Sequence, residues 1–549
     1  MSTSLPPAGR RRPATGPPPS PAEPRQPTRT LSGRARLATL GVLGCLALGS
    51  GAGLAAGLVS CAPPGPTDPA RALTSAEADR LAAMRITNYR AGRVGVYATL
   101  GIPGTQIELA GTVDWPRGLA YLSVAGPGAG SQRGLLQAVP GLVLSRPDPP
   151  AGPGPTGGGP GPFPALVAPS PPPPPPPTPP GDGWRVRRMV TGGPVPAAVD
   201  SFLTLLFAVA ADRPDPTGPL LARDTARWLG VDRAGGTTVD VLLGPAVPAL
   251  TGGPAPATDA TIPAPPTGGL GGGAVRYWLD LDGHLHRFEA LLAGDVPVQV
   301  DFDRAERPEL TAVAALGGAP VQPRAATRTE TDLLARVRAE NRALGGAEIT
   351  LAVPTTAPVA ELPAVNLRAS GWVDWSDSVA YLAVHELDRP GERTLLRANR
   401  TGVAVRDVPS DPDVRSGGGA GPPPLPPPRD RDWDHLSWQR RTDSLGAPDL
   451  DLLVNEALAI GSAGLGPADR LRESVSWLRQ DELDGRPVTV FEVPKEAESE
   501  VGRGQARMRY WVDRSGLLRR LELRTRTGAF AQLDLTPGPV PELPAVPLG

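Results

Sequence analysis

The chain has 549 residues, with 55 Lys or Arg against 56 Asp or Glu and a net charge of −1. That balance excludes a generally basic nucleic-acid binder, so no nucleic-acid partner is expected. Two Cys and four His exclude a disulfide-stapled scaffold and leave little material for a Cys/His metal centre.

Residues 1–36 carry Arg10, Arg11, Arg12, Arg25, Arg29, Arg34 and Arg36 against the single acid Glu23, among Pro, Ser and Thr. Such a segment cannot bury a core and is predicted to be a disordered tail or leader. The next 24 residues, Leu37–Ser60, contain no charge, which is long enough for a bilayer-crossing helix. The Arg-rich flank then places the N-terminus inside and the remainder outside. The stretch ends Leu58-Val59-Ser60-Cys61, which resembles a bacterial lipobox. Cleavage there would leave Cys61 as a lipidated N-terminus; without it, residues 37–60 remain as a transmembrane anchor. Both alternatives tether residues 62–549 to the membrane from outside.

After this the sequence repeats itself. Thr74 or Ser75 can cap a first helix, with Glu77 and Asp79 at its positive end. Ile107–Trp115 alternates as a half-buried antiparallel strand should, turns at Pro116-Arg117-Gly118, and returns over Leu119–Val124. Gly111, Asp114 and Trp115 recur as Gly371, Asp374 and Trp375, and Ala120-Tyr121-Leu122 as Ala380-Tyr381-Leu382, all 260 residues on. An apolar helix is predicted over Ala197–Ala211 and its counterpart over Leu450–Ile460. A second short helix is expected to hold Trp228 or Trp477. Arg276-Tyr277-Trp278-Leu279-Asp280 and Gly283, Leu285 and Glu289 recur 233 residues later, from Arg509 to Glu522. Val298–Phe302 and Ala531–Leu535 supply closing strands. The second copy opens with a helix from about Thr329 to Leu344.

The pieces keep one order, so the chain is read as a duplicated α+β module. Module 1 spans 70–325, with Pro/Gly-rich insertions at 148–181 and 246–272. Module 2 spans 326–545, with an insertion at 411–429. Pro171–Pro177 is an unbroken run of seven prolines, which favours an extended form. These insertions are predicted to be irregular and are read as tolerated surface loops.

The helix–hairpin opening, the central helices and the closing strand pairs Arg276–Glu289 and Arg509–Glu522 resemble the LolA-like superfamily, in particular its extracytoplasmic LppX/LprG type lipoproteins of actinobacteria. The resemblance implies two tandem curved antiparallel half-barrel sheets, each with helices on its concave face. It also implies a cavity that takes acyl chains of a lipid or lipoprotein. On that basis Phe202, Leu205, Leu206 and Phe207 of the first central helix become lipid-cavity candidates; an ordinary core is the alternative for the same residues.

No nucleophile elbow, zinc-protease helix or phosphate loop occurs. His284 and His286, two apart on a strand, share a face and could bind a metal with a nearby acid. The second copy has Leu517 and Arg519 there, so they are read as a surface pair, and no metal or cofactor is assigned. Asp114 and Asp374 are read as ending a strand and starting a turn. No catalytic residue is assigned, and the chain is read as a non-enzyme. The expected function is a membrane-tethered binder or carrier of lipid or lipoprotein. The alternative is an envelope sensor or scaffold with a protein partner that the sequence does not name.

Overall fold

The computed structural model describes residues 70–148, 172–190, 197–222, 226–246, 274–355, 365–409, 421–428, 433–438, 448–461, 468–494 and 502–543. The Arg-rich tail, the apolar stretch 37–60 and Cys61 lie outside these residues, as does most of each Pro/Gly-rich insertion. No helix among the described residues is long and apolar enough to cross a membrane. Both copies of the repeat fall within one compact unit, Pro66–Gly549.

Twelve strands belong to the first copy: β1 Arg71–Ala72, β2 Arg93–Leu100, β3 Ile107–Asp114, β4 Leu119–Ala125, β5 Gly134–Val139, β6 Leu142–Pro147, β7 Arg185–Arg188, β8 Arg227–Ala234, β9 Thr237–Pro245, β10 Ala274–Leu279, β11 Leu285–Leu292 and β12 Val296–Asp303. Twelve more belong to the second: β13 Arg324–Ala325, β14 Gly346–Thr355, β15 Val365–Asp374, β16 Val379–Glu386, β17 Arg389–Ala398, β18 Gly402–Pro409, β19 Asp434–Ser437, β20 Ser476–Leu483, β21 Arg486–Glu492, β22 Met508–Asp513, β23 Leu518–Arg524 and β24 Phe530–Pro537. The first sheet runs β1-β8-β9-β10-β11-β12-β2-β3-β4-β5-β6-β7. The second runs β13-β20-β21-β22-β23-β24-β14-β15-β16-β17-β18-β19, which is the same order strand for strand. In each, the last strand of the copy returns to pair with its first long strand, β12 with β2 and β24 with β14. All pairings are antiparallel, and apart from this closure and the pairing of the short strands β1 with β8 and β13 with β20 they join strands consecutive in the chain.

The repeated residues explain the matching register. Gly111 faces Leu122 and Gly371 faces Leu382 across equivalent strand pairs. A Cβ at either glycine would lie 2.1 or 2.0 Å from the carbonyl oxygen of Tyr121 or Tyr381, so only glycine allows the strands to approach this closely. Asp114 and Asp374 end their strands as expected: Oδ1 accepts from Arg117 N at 3.2 Å in one turn and from Ser376 N at 2.7 Å in the other.

Among the described residues six α-helices accompany the sheets: α1 Ser75–Ala91, α2 Ala198–Ala208, α3 Thr217–Leu221, α4 Arg328–Ala343, α5 Pro448–Ile460 and α6 Ala468–Ser474. Thr74 and Thr327 each close a capping box with the glutamate three residues on, Glu77 and Glu330. One sequence expectation is corrected here. Trp228 and Trp477 are not helical; α3 and α6 end before them, and both tryptophans lie on strands, β8 and β20. Arg71 and Arg324 lie over their rings at 4.3 and 4.0 Å, and this pairing holds the short edge strands β1 and β13 in place.

Each sheet is buried on two faces around β4 and β16, which is why these strands read as continuous apolar runs rather than alternating ones. On one face Ala120, Leu122 and Val124 join the core with the helices, and Ala380, Leu382 and Val384 do the same in the second copy. On the other face Leu119 and Tyr121 pack with Trp184 and Leu310, and Val379 and Tyr381 with Trp433 and Leu543. The described ends of two Pro-rich insertions run along this second face. Trp184 Nε1 donates to Pro180 O at 2.6 Å, and Trp433 Nε1 to Pro428 O at 3.2 Å. Prolines donate no hydrogen bond but keep their carbonyl acceptors, and the two indoles use them.

The copies meet at the edge strand β7. Asn366 of β15 accepts from Val186 N at 2.8 Å and donates to Val186 O at 3.3 Å. One buried amide thus stands in for a partner strand. Arg368 adds a bond to Trp184 O at 2.9 Å, and Arg185 pairs with Asp388 at 2.5 Å.

Candidate functional site

The central helices α2 and α5 lie against the sheet face that carries the main core. Each is tied by a tryptophan to a hairpin, β3–β4 in the first copy and β15–β16 in the second. Trp115 Nε1 donates to Leu206 O at 3.1 Å, and Trp375 Nε1 to Ala457 O at 2.9 Å. This bond sets the correspondence between the helices, 251 residues apart, so that Phe202 matches Leu453, Leu206 matches Ala457, and Leu205 matches Glu456.

Phe202, Leu205 and Leu206 are each 0% exposed and share one cluster with Trp115, Tyr277, Phe288 and Phe302. Phe207 is half-buried and packs against the edge of that cluster. The structure therefore brings these four candidates together against the sheet, with their space filled by core side chains. Two concave spaces lie elsewhere: one of about 210 Å³ beside Arg71 and Leu220, and one of about 300 Å³ between Arg117, Leu119 and Phe530. None of the four candidates lines either.

The two interiors differ in polarity. In the second copy the Tyr510 hydroxyl donates to Glu456 Oε1 inside the core, with the Arg338 guanidinium 3.9 Å from that oxygen. Burial, with the Glu456 charge beside it, pushes the Tyr510 phenol well above its ordinary range. In the first copy the matching Tyr277 donates to a main-chain acceptor, Pro245 O, at 3.0 Å, and Leu205 occupies the place of the acid. Arg85, which matches Arg338, turns instead to Ala208 O and Asp215, both at 2.8 Å. Both helices keep a buried acid in their first turn, Asp200 and Asp451. Asp200 receives both Arg187 terminal nitrogens at 2.6 Å and Val190 N at 2.7 Å, which fixes the start of α2. The only sequence signal for it was one acid at the start of an otherwise apolar helix.

A second arrangement sits at the β10–β11 turn. Asp280 Oδ1 accepts from Asp282 N at 3.0 Å and His284 N at 2.9 Å. Its Oδ2 lies 3.0 Å from His286 Nε2 and 3.3 Å from His284 Nδ1. Burial alone would raise the Asp280 carboxyl, but the His286 contact and the His284 amide outweigh it and hold it below the usual range. The matching turn of the second copy is built alike around Asp513, with Arg519 Nε donating to its Oδ2 at 2.7 Å. Cys61, the lipidation candidate, lies outside the described residues.

No family model and no curated protein matches the sequence. Among solved structures, the chain is similar to the lipoprotein LppX of Mycobacterium tuberculosis, at 14% identity over 38% of this chain and 97% of that one, with a TM-score of 0.21. It is similar to LprF of Mycobacterium bovis at 11% identity, over 41% of this chain and 99% of that one, TM-score 0.21. A LolA superfamily protein of Nitrosomonas europaea matches at 12% identity over 39% and 94%, TM-score 0.18. These are proteins of the kind the sequence resembles.

Proposed function

We propose that the chain is a non-catalytic extracytoplasmic protein that binds an acyl chain of a lipid or lipoprotein in its first module. Residues 37–61 tether it to the membrane, through lipid on Cys61 or through the apolar stretch itself. The observation that carries this reading is the apolar cluster of Phe202, Leu205 and Leu206 beneath α2, where Leu205 stands in place of the buried Glu456 of the second copy. Acyl chains need a large apolar surface with few hydrogen-bonding groups, and a buried carboxylate in that surface is costly. The second module, with its Glu456–Tyr510 pair, serves on this reading as a closed structural partner. Because Phe202, Leu205 and Leu206 fill the first interior, uptake displaces them from the sheet.

The test uses the full chain in detergent and a photoactivatable fatty acid. Adducts are expected on peptides spanning Phe202–Phe207. Labelling that maps only elsewhere overturns the reading. A second reading, a scaffold that binds a protein on the outer sheet faces, draws on the complete burial of the same side chains. It predicts no acyl adduct in the module interiors and a stoichiometric protein partner.

A further inference from the structure

We propose that Asp280, Asp282 and His284, joined by His286 at the shared Asp280 oxygen, form a binding site for a divalent transition metal of the Zn²⁺ class at the β10–β11 turn. By their spacing alone the two histidines amount to a surface pair. The structure adds the convergence of both imidazoles on one carboxylate oxygen. Two ligands of a tetrahedral Zn²⁺ with bonds of about 2.0 Å lie roughly 3.3 Å apart. The Asp280 Oδ2 distances to His286 Nε2 and His284 Nδ1, 3.0 and 3.3 Å, fall at that spacing. Ligand atoms of Asp280, Asp282 and His284 all lie within 4.8 Å of one another. Two imidazoles with carboxylates suit Zn²⁺, whereas Ca²⁺ and Mg²⁺ take oxygen ligands.

The backbone is shaped for this convergence. The β10–β11 register slips between Trp278 and Leu279, which pair with Arg287 and Leu285, so His286 is the extra residue of a β-bulge. A bulge re-aims its side chain, and here it turns His286 back onto Asp280. The second copy has the same bulge, with Trp511 and Val512 paired to Arg520 and Leu518, and Arg519 as the extra residue. There a fixed cation satisfies the carboxylate. In the first copy both side chains that reach the carboxylate are imidazoles, and two of the four histidines in 549 residues are spent on this seven-residue turn.

The duplicate supplies the control. His284→Leu with His286→Arg gives the first turn the residues that the second copy already folds with. The full chain, freed of metal by a chelator, is titrated with Zn²⁺ calorimetrically and with Co²⁺ in the visible. The wild type is expected to bind one more equivalent than the double variant and to show tetrahedral Co²⁺ bands that the variant lacks. His284→Ala alone, which keeps the His286–Asp280 contact, is expected to weaken binding by at least about tenfold. Equal uptake by wild type and double variant overturns the site. So does a wild-type affinity unchanged in His284→Ala, which remains decisive should the double variant fold poorly.

Discussion

Glu77 makes four hydrogen bonds at one helix start. Its Oε2 accepts from Thr74 N at 2.8 Å, its amide donates to Thr74 Oγ1 at 3.3 Å, and Arg71 reaches both carboxylate oxygens at 2.8 and 2.7 Å. The Arg71 bond, followed by the capping bonds against the cost of burial, lowers the Glu77 carboxyl from 4.5 to about 2. A depressed folded-state value means that the stabilisation is present above the unfolded-state value. It is lost as pH falls from about 4.5 through about 2. Glu77→Gln is therefore expected to cost roughly 1–2 kcal/mol at neutral pH, with the difference from wild type vanishing towards pH 2. Urea unfolding across that range checks it, and a pH-independent difference would contradict the assignment. A cap at Thr74 or Ser75, with Glu77 at the positive end of the helix, was legible because these residues lie within four positions of one another. The Arg71–Trp228 contact was not, because 157 residues separate its members.

At the level of strands and helices, the matched hairpins were readable and the closure between them was not. Gly371 recurs because the partner carbonyl leaves no room for a Cβ. Gly371→Ala is expected to destabilise the second module by roughly 2–4 kcal/mol. A denaturant midpoint within error of wild type would show that the strands can separate without cost. Trp228 and Trp477 were misplaced onto helices for a different reason. Each follows a short stretch of helical spacing, and periodicity in so short a run does not separate helix from strand. The structure puts them on strands because β1 and β13 bring an arginine onto each ring. Phe202, Leu205 and Leu206 were readable as an apolar helix face. Their contrast with Glu456 needed the Trp115 and Trp375 bonds, which fix which residues of the two helices correspond.

Over the whole molecule, two sheets of identical order meet at an edge where one side-chain amide pairs with a strand backbone. Val186 offers a backbone donor and acceptor that Asn366 alone satisfies in kind. Asn366→Leu keeps the approximate volume but leaves both groups unpaired, at an expected cost of about 1–3 kcal/mol for each. The loss falls on the contact between modules. Calorimetry is expected to resolve two transitions in the variant where the wild type shows closer coupling. A single unchanged transition would mean that the remaining contacts, including Arg368 with Trp184 and Arg185 with Asp388, suffice.

Repetition was what the sequence determined by itself. Ordered matches at separations of 260 and 233 residues imply that two stretches fold alike, because the same glycine, aspartate and tryptophan meet the same local steric and hydrogen-bonding demands. Local signals likewise carried the cap of the first helix, the turns after Asp114 and Asp374 and the apolar helix faces. Tertiary structure decided which strands close on one another, which face of each sheet the Pro-rich insertions cover, and what stands opposite each carboxylate. The first two depend on groups brought together from distant parts of the chain, the last also on the local register of paired strands. Asp280 and Asp513 are the same residue in the same turn, yet one faces two imidazoles and the other a guanidinium. The physical reason is the bulge, which aims whichever residue occupies positions 286 and 519 at the carboxylate.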